Sequence, residues 1–239
     1  LNAVAGVTYQ TSQYESVYAS ATGFPGNSIR RISAGAVKTD ASSSGTSFGL
    51  VSYLARANYT FADKYIIQGS VRVDGSSRFG ANNRYATFPA ASVAWRASEE
   101  NFLKNSKLIS DLKFRASYGL TGNQEIGNFG SLGLFGVGAY IQTGSLAPTQ
   151  LENADLTWET AKSYNFGFDL GLFDNRLSFT VDGYRRNTEE LLLSQPLVGA
   201  SGFTGIQKNI GAVKNEGLEL GLNAVIVTSK NFKWDASFN

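Results

Sequence analysis

Glu152, Asp155 and Glu159 stand close together in the sequence, and paired carboxylates are the apparatus of acid–base glycoside hydrolysis. That chemistry needs one tuned acid and one tuned base inside a shielded cleft. Trp158-Glu159 instead falls at the start of an alternating strand, where the carboxylate points into water, so no enzyme is expected. Asp74-Gly75-Ser76-Ser77-Arg78 offers oxygens to Ca²⁺, but a single carboxylate is a thin ligand set, and an Asx-type turn between two strands accounts better for the residues. Arg78 and Arg84 flank that turn and can hydrogen-bond a sugar or a carboxylate, or pair with Asp74. Glycines 127, 130, 133, 136 and 138 recur nearly every third residue. So short a run without proline cannot make a triple helix, and no strand–helix unit frames it as a dinucleotide motif, which leaves a flexible loop.

The chain of 239 residues contains no His, no Cys and no Met. Without Cys there are no disulfides, iron–sulfur clusters or thiolate zinc sites. Without His there is no Ser-His-Asp triad and no imidazole base or metal ligand. No cofactor and no metal are expected. The net charge of +2 lacks the clustered basic excess of a nucleic-acid binder. Charged residues make up 17%, below the roughly 25% of ordinary soluble domains. No run of 18 apolar residues exists to form a transmembrane helix, and no basic segment followed by an apolar one is visible as a signal peptide in these residues. Leu1 and the strand-like Phe232–Asn239 suggest an excerpt of a longer protein. The sequon at 58–60 lies inside an apparent strand and is read as chance.

The elements that must carry these residues alternate with period 2 almost throughout. From Ser163 to Leu172, Tyr164, Phe166, Phe168, Leu170 and Leu172 share one face and Ser163, Asn165, Gly167, Asp169 and Gly171 the other. The same pattern marks about nine strands, near 1–10, 46–61, 65–74, 85–97, 111–120, 157–172, 177–186, 216–228 and 232–239. Pro89 weakens the fourth, because it cannot donate to a ladder. Most reach the 9–11 residues that cross a bilayer. Tight links near 62–64, 173–176 and 229–231, with a somewhat longer one at 98–110 that has room for one helical turn, alternate with long ones near 11–45, 74–84, 120–156 and 187–215. One end of the sheet is therefore trimmed and the other elaborated, as in outer-membrane barrels. Phe61, Tyr65, Trp95, Phe173, Phe232 and Trp234 gather beside the short turns, where an interfacial girdle belongs.

The expected fold is all-β, an antiparallel up-and-down meander forming part of a larger transmembrane β-barrel. Arg56, Arg72, Arg96, Lys113, Arg115, Asp169, Asp182 and Glu219 fall on polar strand faces and are expected to line a hydrated lumen. Apolar positions such as Tyr164, Phe166, Phe168, Phe179 and Val181 should stay exposed on the other face. A passive porin and a soluble carbohydrate-binding sandwich are the competing architectures.

Several stretches carry a closer likeness. They are Tyr-Ile-Ile-Gln-Gly-Ser-Val-Arg-Val-Asp-Gly-Ser-Ser-Arg-Phe-Gly (65–80), Arg-Tyr-Ala-Thr-Phe-Pro-Ala-Ala-Ser-Val-Ala-Trp-Arg (84–96), Leu-Lys-Phe-Arg-Ala-Ser-Tyr-Gly-Leu-Thr-Gly-Asn-Gln (112–124), Leu-Thr-Trp-Glu-Thr (156–160) and Lys-Asn-Glu-Gly-Leu-Glu-Leu (214–220). In this order and spacing they resemble SusC/RagA-type TonB-dependent transporters of Bacteroidetes-like bacteria. The resemblance covers most of residues 50–239, and residues 1–45 match only loosely. It implies a 22-stranded barrel in the Gram-negative outer membrane with an N-terminal plug, importing glycans or peptides. It also implies a SusD-like surface lipoprotein over the outer face and TonB on the inner side. Residues 1–239 would then be an interior barrel section, with plug and closing strands outside it. Solute contacts are expected from outer-loop residues Arg78, Phe79, Asn82, Asn83, Arg84, Gln124, Asn128 and Phe129.

Overall fold

A computed structural model describes residues 1–141 and 143–239. Among these the strands are, in chain order, β1 (Asn2–Thr22), β2 (Val37–Phe61), β3 (Tyr65–Ser76), β4 (Tyr85–Arg96), β5 (Ile109–Asn123), β6 (Leu134–Tyr140), β7 (Thr143–Gln150), β8 (Glu159–Leu172), β9 (Leu177–Glu189), β10 (Leu192–Pro196), β11 (Gly205–Asn209), β12 (Ala212–Thr228) and β13 (Lys233–Phe238). Nine of them make one sheet in the order β1-β2-β3-β4-β5-β8-β9-β12-β13, with every neighbouring pair antiparallel. The meander expected from the alternation is present, and β1 and β13 lie at opposite edges rather than paired.

Two expectations are corrected. The link expected over 11–45 is mostly strand: β1 continues to Thr22 and β2 begins at Val37, so only 23–36 is loop. Residues 11–22 and 37–49 are mostly small or polar on both faces, so no apolar alternation announces their pairing. The long links near 120–156 and 187–215 are not bare loops either, since they carry the two-stranded ribbons β6–β7 and β10–β11.

The register sorts side chains into two faces. Phe61, Tyr65, Trp95, Phe114, Phe168, Val181 and Leu220 form one hydrogen-bonded row from β2 to β12. One residue along each strand, Ala94, Arg115, Gly167, Asp182 and Glu219 form a row on the opposite face. Tyr164 and Phe166 are exposed, whereas Phe168, Phe179 and Val181 are half-buried rather than fully exposed. For Phe168 the cause lies within the row: Phe114 packs between Trp95 (5.8 Å) and Phe168 (6.1 Å), so these neighbours shade one another. None of the five is buried, as the core of a sandwich would require. Accessible surface totals 16325 Å², against about 10,000 Å² for a compact monomer of this mass. The sheet leaves both faces open.

At the trimmed end the turns use strained but suitable residues. Ala62 and Asp63 take φ of 51° and 56°, the primed geometry that matches hairpin twist, closed by Lys64 N–H donating to Phe61 O at 3.0 Å. Phe173, Asp174 and Asn175 do the same with φ of 54°, 55° and 60°. The link between β4 and β5 holds a short 3₁₀ turn, Ala97–Glu99, followed by Glu100. The Glu100 carboxylate accepts from Tyr65 Oη (2.6 Å), Lys64 Nζ (2.9 Å) and Trp95 Nε1 (3.3 Å), tying this link to the β2–β3 turn.

Those donors, the Tyr65 hydroxyl foremost and then Lys64, hold the Glu100 carboxyl down at about 2, below its ordinary 4.5. A depressed carboxyl stabilises the fold above its unfolded value, and that contribution is lost as pH falls from 4.5 through about 2. Acid titration of thermal stability in the full-length protein should show this loss. Glu100→Gln should be less stable at neutral pH and flatter across the same window; an unchanged pH profile would contradict the clamp.

Candidate functional site: outer loops and the polar strand face

The elaborated end is built on Pro89. It gives β4 no N–H to donate, and β4 pairs with β5 only from Ala90↔Gly119 to Arg96↔Lys113. Where the two strands part, a compact apolar cluster forms from Phe79, Phe88, Leu156 and Trp158. The Trp158 ring lies 5.0 Å from Phe79 and 5.6 Å from Phe88, and its Nε1 donates to Arg84 O at 3.1 Å. Phe79, expected to touch solute, is instead 1% exposed and anchors this cluster.

Asparagine amides then fasten the loops to one another. Asn83 Nδ2 donates to Asp155 O (2.9 Å) and Asn153 Nδ2 to Gln207 O (2.7 Å). Asn209 accepts from Thr157 N–H through Oδ1 and donates through Nδ2 to Thr157 O, both at 2.8 Å, copying a backbone pair. Glu159 accepts from Asn123 Nδ2 (3.3 Å) and Leu192 N–H (3.2 Å), so it is spent on the scaffold while Glu152 and Asp155 stay exposed. Among the described residues no three His, Cys, Asp or Glu side chains converge as a metal site.

Arg78 is the hub between loops and sheet. With 12% of its side chain exposed, it lies 4.3 Å over the Phe48 ring, donates from Nε to Asn128 Oδ1 (3.0 Å) and from Nη1 to Gln124 O (3.0 Å), and sits 3.8 Å from Glu125. Asn128 Nδ2 in turn donates to Thr46 Oγ1 at 2.6 Å. Arg78, Gln124 and Asn128 are therefore brought together, as a strut more than as a free donor set. Gln124 Oε1 is buried with no partner among the described residues. Asn82, Arg84 and Phe129 are exposed, apart from this hub. Asp74 pairs with neither Arg78 nor Arg84: Arg72 Nε holds both its oxygens at 2.6 and 2.8 Å, and Arg72 Nη2 donates to buried Ser52.

On the polar face, Arg115 donates to Asp169 and Asp182, each at 3.0 Å, and Lys113 lies 3.5 Å from Asp169. Arg96 pairs with Glu99 (3.2 Å), and Arg56 reaches Asn58 (3.5 Å). Glu219 stands directly opposite Asp182 in the register, two like charges side by side on the polar face. Trp158, Asn153, Asn209 and Glu100 were not foreseen as positioning residues; only Leu156-Thr157-Trp158, an apolar pair just ahead of an alternating strand, gave a signal.

The profile of the family described as TonB dependent receptor-like, beta-barrel, matches residues 1–239. TonB-dependent receptor P3 of Formosa agariphila is 40% identical over 245 residues, which takes in 100% of this chain and 24% of that protein. TonB-dependent receptor SusC of Bacteroides thetaiotaomicron is 39% identical over 199 residues, 80% of this chain and 20% of the relative. The solved RagAB peptide transporter superposes with a TM-score of 0.92 at 35% identity, over 98% of this chain and 26% of the transporter chain. The chain thus spans about a quarter or less of the length of each of these relatives.

Proposed function

The chain belongs to the TonB dependent receptor-like β-barrel family, and from that premise we propose that it is one section of the barrel of an outer-membrane active importer, not an enzyme. The observation that carries this reading is the pairing of an apolar, aromatic row on one face with a charged row one residue away on the other. Such a sheet suits a wall between hydrocarbon and water. The remaining strands and a plug are supplied by other parts of the protein. The polar row faces the lumen, with Arg56, Arg72, Arg96, Arg115, Asp169, Asp182 and Glu219 on its wall. The tied outer loops, with Arg78, Asn82, Asn83, Arg84, Gln124, Asn128 and Phe129, face the medium. Glycans or peptides are the solutes, TonB the energy source and a SusD-like lipoprotein the outer partner; the likeness to SusC and to a RagAB peptide transporter supports these. The cell is Gram-negative and Bacteroidetes-like, as its relatives' organisms suggest.

Uptake of solute in cells carrying the full-length protein should stop when TonB is deleted. A passive porin would go on admitting solute down its gradient, so TonB-independent uptake would overturn the importer reading.

A further inference from the structure

We propose that one face of the β1–β2 ribbon is a contact strip for a neutral oligosaccharide; this rests on the importer reading and names a surface and solute class for it. β2 pairs with β3 only as far as Leu50↔Ser76, so above that level β1 and β2 rise as a two-stranded ribbon. Tyr14 and Tyr18 lie on one face of it, about 13 Å apart at the usual strand rise. They are 60% and 54% exposed. Their direct cross-strand partners are Thr46 and Ser42, and between them Ser16 faces Ser44 with hydroxyl oxygens 3.4 Å apart.

The direction of this face is fixed independently. Phe48 and Thr46 belong to it, and they are the groups that receive Arg78 and Asn128 from the outer loops. The tyrosine strip therefore continues from the loop hub rather than turning away from it.

The chemistry matches a sugar chain. A pyranose presents a C–H face that packs on an aromatic ring and a rim of hydroxyls that exchange hydrogen bonds with Ser, Thr and Tyr hydroxyls. No charge stands between Tyr14 and Tyr18 on this face. Glu15 and Gln13 project from the opposite face and bond each other at 2.9 Å, and Asp40 lies beyond, opposite Ser20. An anionic glycan finds no cation on the strip. An extended peptide added along a strand edge would be held by main-chain hydrogen bonds rather than by the rings.

The test is calorimetric titration of the full-length transporter in detergent with maltoheptaose, cellohexaose, mannohexaose and xylohexaose, and separately with a mixture of decapeptides. At least one oligosaccharide should bind. Tyr14→Ala combined with Tyr18→Ala should weaken it at least tenfold, Tyr→Phe at both positions should retain most of the affinity, and Val17→Ala, on the opposite face of the same strand, should change nothing. Unchanged affinity in the double alanine variant, binding of peptides alone, or no oligosaccharide binding would each overturn the strip. TonB-dependent uptake persisting in those cases leaves the importer reading standing; TonB-independent uptake sinks that reading while sugar affinity still reports on the tyrosines.

Discussion

Phe166→Arg is expected to cost about 2–4 kcal/mol of folding stability in a lipid bilayer, whereas Asn165→Arg, one residue away, should cost well under half of that. Phe166 is 61% exposed on the apolar face, between Lys162 near the loops and Phe173 at the turn. If that face meets hydrocarbon, a guanidinium placed there cannot shed its charge and finds no water. Asn165 faces the other way, beside Ser117 Oγ at 3.4 Å, where a cation remains hydrated. Denaturant titration of the full-length protein in liposomes, with both variants beside wild type, measures the difference. Equal losses, or a larger one for Asn165→Arg, would reverse the assignment of the faces.

Trp158→Ala should destabilise the outer-loop layer by about 3–5 kcal/mol, the range for removing a buried aromatic. Trp158 is 4% exposed, and its ring is the piece shared by Phe79 from the β3–β4 link and Phe88 from β4. Its loss opens a cavity and leaves Arg84 O without its donor. Limited proteolysis should then cleave within 124–158 at protease levels that spare wild type, while strand β8 stays protected. Trp158→Phe, which restores a ring but not the N–H, should fall between. If the alanine variant resists cleavage like wild type, the loops are held by the asparagine contacts alone.

The two faces of the sheet were legible because one is apolar and the other is not: Ser163–Leu172 alternates without a break, and the structure pairs it as the alternation requires. The upper ribbon was not legible, since Ser16 and Ser44 look no more buried than Gln13 or Ser47 on the other side. Register there comes from backbone pairing, which leaves no trace in side-chain polarity. The loop residues failed in a different way. Arg78 and Phe79 have the right chemistry for a solute, but Arg78 meets Asn128 fifty residues away and Phe79 meets Trp158 still further on. Contacts of that span depend on how strands stack across the sheet, which no local window contains. Glu100 reads as a solvated linker charge until the β2–β3 turn is brought beside it.

The row that begins at the Phe61–Tyr65 turn has a geometric consequence. Followed across the hydrogen bonds, it reaches β8 at Phe168, well short of the next turn at Phe173, and β12 at Leu220, further still from the turn after Thr228. At about 3.3 Å per residue and about 4.8 Å per strand, that offset inclines the row by about 40° to the rim, and so the strands by about 40° to the barrel axis. A closed barrel demands an inclination of this size. Every cross-strand row must then wind up the wall as a spiral stair. The charges of Arg115, Asp182 and Glu219 occupy rising steps of that stair, with Gly167 between the first two, so no single level of the wall carries them as a ring.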